Sequence, residues 1–144
     1  MTLNKYYKGI IFSIFLAPLF AWAGCQHNKY AESYFNTGNL YLRLEENRQA
    51  INDYDKAIEL NPKYASAYNN RGIAYARLGD NRQAIREFDK SIELNPKVPE
   101  VYYNRAIISG RLGGEQQAIE NYKQAARLGH KGAQEVLKSK GITW

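Results

Sequence analysis

The segment that decides the fold is residues 65–98, ASAYNNRGIAYARLGDNRQAIREFDKSIELNPKV. Its pattern recurs before and after it, because four positions carry the same residue at a spacing of 34: Tyr34, Tyr68 and Tyr102; Asn36, Asn70 and Asn104; Ala50, Ala84 and Ala118; Ile51, Ile85 and Ile119. A chain that repeats at this interval is a stack of similar supersecondary units, each stable only against its neighbours. The spacing predicts three units, residues 31–64, 65–98 and 99–132. Function is then expected from the surface that the stack presents.

Two helices are predicted in each unit. In the second unit, Tyr68, Gly72 and Tyr75 follow each other at helical spacing, so they share one face of a first helix. Ala84 and Phe88 do the same for a second helix. Gly72 and Ala84 are expected where the two helices cross most closely, because a larger side chain there would hold the backbones apart.

The helix ends carry their own signals. Gly79 suits the end of the first helix, and Asp80 suits the N-cap of the second. Pro96 stops the second helix, because its ring disfavours helical geometry at the residue before it. After the repeats, Ala133 and Leu137 fall on one helical face. We expect residues 133–144 to form a capping helix and tail over the open end of the stack.

The repeats resemble those of the tetratricopeptide repeat family. The family pattern places, in order, an aromatic, a small residue, an aromatic, Ala, an aromatic, Ala and Pro. The first two units supply Tyr34, Gly38, Tyr41, Ala50, Tyr54, Ala57 and Pro62, then Tyr68, Gly72, Tyr75, Ala84, Phe88, Ser91 and Pro96. The third unit departs at Ser109 and His130, as terminal repeats commonly do. The resemblance implies an all-α, right-handed solenoid of three helix pairs with a C-terminal capping helix.

Residues 1–24 are predicted to be a signal peptide. Lys5 and Lys8 precede an apolar run over residues 9–23, which ends in small residues. The run is shorter than the roughly 20 residues of a membrane-spanning helix, and its composition is typical of a secretory signal. We therefore expect one export signal and one folded domain in the cell envelope.

The only cysteine, Cys25, follows this signal. Ala23-Gly24-Cys25 resembles the lipobox of bacterial lipoproteins, in which the cysteine thiol is alkylated with diacylglycerol and becomes the mature N-terminus. The resemblance implies a lipid anchor at Cys25, a short tether at residues 25–30 and a domain that faces the periplasm or the outer surface. Trp22 stands where the lipobox prefers an aliphatic residue, which leaves two alternatives open. These are cleavage after Ala23, giving a soluble periplasmic or secreted protein, and an uncleaved membrane anchor.

The sequence lacks the usual signals of catalysis, metal binding and nucleic-acid binding. It has one Cys and two His, and no motif of a zinc protease, a serine hydrolase or a phosphate-binding loop. His27 and His130 are far apart in the chain, whereas a closed metal site needs about four ligands. The net charge of +6 is spread along the chain without a basic cluster. We predict no enzyme, no cofactor, no metal and no nucleic-acid partner.

Binding residues are expected on the concave face, which the first helix of every unit lines in the family that the chain resembles. Two polar rows lie there, with Asn39 beside them: Asn36, Asn70 and Asn104; Arg43, Arg77 and Arg111. An amide side chain both donates and accepts, so an asparagine row can pair with the backbone of an extended peptide. The arginines would add a positive rail for carboxylates. The alternative is that both rows are solvated polar residues without a ligand.

One activity of the family is excluded by residue type. Members that clamp the C-terminal carboxylate of chaperones use Lys, Asn and Arg, and this chain matches them only at Asn39 and Asn70. Glu100 places a negative charge where the clamp needs a cation.

Two functions remain. The first is a membrane-tethered adaptor or assembly factor that binds an extended segment of another envelope protein. The second is a structural unit that associates with itself and holds no foreign peptide in its groove.

Overall fold

The fold is known from a computed structural model that describes residues 28–144. The signal segment and Cys25 lie outside these residues. Seven helices follow each other, and no strand occurs between residues 28 and 144: α1 (28–43), α2 (Asn47–Leu60), α3 (Ala65–Arg77), α4 (Asn81–Leu94), α5 (Pro99–Arg111), α6 (Glu115–Arg127) and α7 (Lys131–Ser139).

The helices form three pairs and a cap. The pairs are α1 with α2, α3 with α4, and α5 with α6, and each second helix also packs against the first helix of the next pair. α7 packs against α6 in the place that a fourth first helix would take. The all-α solenoid expected from the repeats is therefore confirmed.

Glycines under aromatic rings set the distance between the helices of the first two pairs. A Cβ atom added to Gly72 would lie 2.7 Å from the Phe88 ring, and one added to Gly38 would lie equally close to the Tyr54 ring. Tyr54 and Phe88 are both fully enclosed. The two helices approach each other this closely only because no side chain stands at the glycine, as the sequence pattern predicts.

The turns inside the pairs need a left-handed residue. Gly79 and Gly113 have φ of 85° and 81°, and at the equivalent place in the first unit Glu45 adopts φ of 62°. Asp80 then caps α4, because its side chain accepts the Gln83 N–H at 3.0 Å. Glu45 thus holds a backbone conformation that suits glycine better.

Arginines of the first helices join successive pairs by bonding the second helices on either side of them. Arg71 of α3 bonds Asp55 of α2 and, at 2.6 Å, Glu87 of α4. These hydrogen bonds raise the Arg71 pKa, although burial alone would lower it. Arg105 of α5 repeats the contact with two residues of the neighbouring helices, Asp89 and Asn121.

The ends of the array lack this inter-pair contact. At the position of Arg71 and Arg105 the first unit has Thr37, and at the position of Asp55 and Asp89 the third unit has Lys123. Each terminal unit therefore carries the residue that pairs with the second unit, and lacks the residue that would pair with a further unit beyond it.

Two boundaries differ from the sequence prediction. Residues 28–30, placed in the tether, belong to α1, whose first turn is held by the buried Ala31. The capping helix starts at Lys131 rather than Ala133, because His130 Nδ1 accepts the Ala133 N–H at 3.1 Å and acts as the N-cap. The chain leaves α7 with Ile142 packed on the last apolar cluster and Trp144 45% exposed.

Candidate functional site

The first helices lie side by side, and asparagines connect them across one face. Asn70 Nδ2 of α3 donates to Asn39 Oδ1 of α1 at 2.8 Å. The same oxygen accepts the Tyr54 hydroxyl at 2.8 Å, which ties the first unit's core to this face. Burial raises the pKa of Tyr54 to about 12, so the phenol keeps the proton that it donates over a wider pH range than an exposed tyrosine does.

A second link extends the row to α5. Asn69 Nδ2 donates to Asn70 Oδ1 at 2.9 Å, and Asn104 Nδ2 donates to Asn69 Oδ1 at 3.2 Å. We call the residues Asn39, Asn70, Asn69 and Asn104 the amide chain. It crosses all three units, and its members orient one another through hydrogen bonds.

The amide chain differs in membership from the row that the sequence suggested. Asn70 and Asn104 both belong to it, but they are joined through Asn69 rather than directly. Asn36 is exposed and makes no hydrogen bond with another side chain of residues 28–144, so it is not a member of the amide chain. Asn39 provides the contact in the first unit instead.

Between α3 and α5 the same face opens into a cavity of about 190 Å³. Its floor is apolar and includes Ile73, Ala76 and Ile107. We call this space the groove cavity. The polar side chains on its wall are Asn104, Arg77 and Arg111. The end of the amide chain and two members of the predicted arginine rail therefore meet at one place.

The arginines are not equivalent. Arg77 Nη1 donates to the Leu42 carbonyl oxygen at 2.6 Å, in the last turn of α1, and so bridges the first two units. Arg77 and Arg111 are both exposed and also line an adjoining open space together with Glu45. Arg43 is exposed but lines neither of these two spaces. The rail is thus reduced to two arginines around the groove cavity.

Two contacts of the site were missed by sequence reasoning: the Tyr54 hydroxyl with Asn39, and Arg77 with the Leu42 carbonyl. The apolar floor did have a signal, because Ile73 and Ile107 are spaced by 34 and take the position that Asn39 has in the first unit. That substitution separates a polar half of the groove from an apolar half.

A metal-binding group and a membrane-spanning helix are not found among residues 28–144. No group of three or more His, Cys, Asp or Glu side chains is placed to hold a metal ion there. The helices of this part of the chain are also too short or too polar to cross a bilayer.

Sequence comparison identifies the repeats. Profiles described as TPR repeat and as tetratricopeptide repeat match residues 38–79, 65–98 and 87–120, which together span more than half of the chain. The chain belongs to the tetratricopeptide repeat (TPR) family. Comparison with curated protein sequences gave no significant match.

Solved structures share the TPR fold of this protein. The first TPR of Spaghetti (RPAP3), bound to the HSP90 peptide SRMEEVD, has 23% identity and a TM-score of 0.74, with 78% of this chain and 90% of that chain covered. The Arabidopsis OM64 TPR domain has 24% identity and a TM-score of 0.73, with 79% and 98% covered. MamA has 29% identity and a TM-score of 0.67, with 72% of this chain covered. The chain spans 61% of the MamA chain.

Proposed function

We propose that this TPR protein is a non-catalytic adaptor whose concave face binds an extended segment of another cell-envelope protein. The observation that carries the proposal is the amide chain, which presents oriented donors and acceptors across all three units. A peptide bond needs one donor and one acceptor, and an amide side chain offers both. The RPAP3 domain, which has the same fold, was solved with a peptide bound.

Asn104 is the member of the amide chain best placed to contact a ligand. Its Nδ2 donates one hydrogen to Asn69, and its Oδ1 accepts none from residues 28–144. Asn70, by contrast, already donates to Asn39 and accepts from Asn69. The amide of Asn104 also lines the groove cavity. A bound segment would therefore take its hydrogen bonds at Asn104 and at the second N–H of Asn70.

Photocrosslinking tests whether a partner enters the groove. A photoreactive side chain at Ile107, in the floor of the groove cavity, should capture a partner in membranes. The same side chain at Arg86, which is exposed on α4, should not. Capture at both positions, or at Arg86 alone, would contradict a groove-specific partner.

We also propose that the protein is exported and anchored by a lipid on Cys25. This rests on residues 5–25, which combine a basic start, an apolar run and Ala23-Gly24-Cys25. Since α1 already includes residue 28, three residue steps of at most about 11 Å separate Cys25 from the domain. The domain would then lie close to the membrane. Mass spectrometry should find a lipid mass on Cys25 that Cys25→Ala abolishes. An unmodified N-terminus at Gly24 would contradict the anchor.

Self-association is the second candidate, and one observation favours it. Leu40 of α1 is 51% exposed, whereas Ala74 and Ile108, at the equivalent position in α3 and α5, are buried. In α3 and α5, the face that carries this position packs against the preceding helix pair. In α1 the same face is exposed. Sedimentation of the wild type and of Leu40→Gln tests this. A monomer in both cases would exclude self-association through that face.

A further inference from the structure

We propose that the groove cavity selects a segment in which an aliphatic side chain stands next to an Asp or Glu. This inference rests on the proposed function and adds the chemistry of the ligand to it. The aliphatic side chain would lie on Ile73 and Ile107, and the carboxylate would lie between Arg77 and Arg111.

The size and lining of the cavity define the first part of the ligand. A volume of about 190 Å³ is below the roughly 300 Å³ at which small-molecule sites begin, so the cavity suits a single side chain. Its floor of Ile73, Ala76 and Ile107 offers no hydrogen bond from a side chain. An aliphatic group gains free energy there by leaving water, whereas a polar group would lose its solvent partners.

The charges around the cavity define the second part. Neither Arg77 nor Arg111 forms an ion pair with a carboxylate of residues 28–144, although Arg71 and Arg105 of the same helices do. Glu45 is the one carboxylate among the described residues that line this cavity and the adjoining open space. Two guanidinium groups at one opening repel each other, and an anion between them removes that repulsion. The surface is therefore complementary to a carboxylate.

An internal Asp or Glu fits better than a chain terminus. The amide chain reaches from Asn39 in the first unit to Asn104 beside the cavity. A segment that pairs with it crosses α1, α3 and α5. We assign the carboxylate at the arginines to a side chain of this segment, because a terminal carboxylate would require every ligand to end at the cavity.

The arginines also have a simpler role that the experiment must separate. Arg77 and Arg111 are the last residues of α3 and α5, where a cation interacts favourably with the helix dipole. That role predicts a small loss of stability when they are replaced. It predicts no effect on which peptide sequences bind.

Selection of displayed random dodecapeptides on the full chain in detergent tests the proposal. The wild type should enrich peptides with adjacent aliphatic and acidic residues. The double variant Arg77→Gln, Arg111→Gln should lose the acidic preference, with affinity for an enriched synthetic peptide reduced about tenfold or more. The double variant Arg82→Gln, Arg86→Gln has the same change in charge at exposed positions on α4 and should retain the preference.

A cavity-filling variant tests the aliphatic half separately. Ala76→Leu places new methyl groups in the groove cavity, so it should lose the aliphatic preference and keep the acidic one. Amidated and free C-terminal forms of the enriched peptide should bind equally if the carboxylate is internal. Preference for the free form would overturn that assignment.

The outcomes separate this inference from the proposed function. Enriched peptides without acidic residues, which still depend on Asn104, would overturn the inference and leave the groove as a binding site. Equal loss in both arginine double variants would overturn it as well. No enrichment by the wild type would count against both proposals.

Discussion

Two pairs of arginines on the same helices have opposite surroundings. Arg71 and Arg105 are 16% and 20% exposed, and each bonds residues of two neighbouring helices. Arg77 and Arg111 lie six residues further on, are exposed and have no carboxylate partner among residues 28–144. Both pairs repeat with the same spacing. The 34-residue spacing therefore shows only that arginine recurs at both positions. Burial and hydrogen-bond partners show whether such an arginine stabilises the fold or is available to a ligand.

The largest effect is expected where an arginine is enclosed. Arg71→Met should lower the free energy of unfolding by about 3 kcal/mol, because it leaves the buried Glu87 carboxylate without its cation. Arg77→Met should cost clearly less, about 1 kcal/mol, because Arg77 is exposed and loses only its hydrogen bond to the Leu42 carbonyl. Denaturant unfolding of the two variants measures the difference. Equal losses would show that the two kinds of arginine position do not differ in role.

Two alanines give the same contrast between core and groove without any change in charge. Ala84 is fully buried in the core of the second unit, so Ala84→Leu should overpack it and cost about 1 to 3 kcal/mol. Ala76 lines the groove cavity, which can accept the larger side chain, so Ala76→Leu should cost clearly less. Thermal melts that rank the two variants the other way would contradict this assignment of core and groove.

Tyr54 connects the core to the groove and should show an intermediate effect. Tyr54→Phe removes the hydroxyl that donates to Asn39 and should cost about 1 kcal/mol at neutral pH.

Its pH dependence gives a second check. The folded pKa of about 12 lies above the ordinary value of 10.0, so the folded state retains the proton more strongly than the unfolded state does. This contribution is complete below pH 10 and is lost as the pH rises towards 12. Over that range the wild type should lose more stability than Tyr54→Phe, as measured by denaturant unfolding. If the stability of the two proteins falls in parallel with pH, burial does not raise the pKa of Tyr54.

The smallest effect is expected at the rim of the groove. Glu45 adopts φ of 62°, where the other two units have Gly79 and Gly113. Glu45→Gly should therefore stabilise the protein by about 0.5 kcal/mol, although glycine also makes the unfolded chain more flexible. A loss of stability in the melt would indicate that the Glu45 side chain makes a stabilising contact.

The fold could be predicted from the sequence because its signals are local and repeated. Gly72 opposite Phe88, Gly79 in its turn and Asp80 at its helix end each follow from residue type and spacing. The N-cap at His130 could not be predicted, since histidine is not a usual capping residue and a Pro was expected there.

The site was less accessible to sequence reasoning. Spacing placed Asn70 and Asn104 on one face, but the offset between successive units decides which asparagines touch. That offset joins Asn39 to Asn70 and leaves Asn36 aside. The same offset brings Arg77 to the carbonyl of Leu42 in the preceding unit. This contact could not be predicted, because every residue has a backbone carbonyl.

The most direct test of the account is the affinity of the photocrosslinked partner's segment for groove variants. The double variant Asn70→Ala, Asn104→Ala should bind the segment roughly tenfold more weakly or worse, because peptide groups of the ligand lose their hydrogen bonds. Asn36→Ala, which alters an exposed asparagine outside the amide chain, should bind like the wild type. Equal binding by the double variant, with an unchanged melt, would show that the groove is not the binding surface. Self-association would then be the better account.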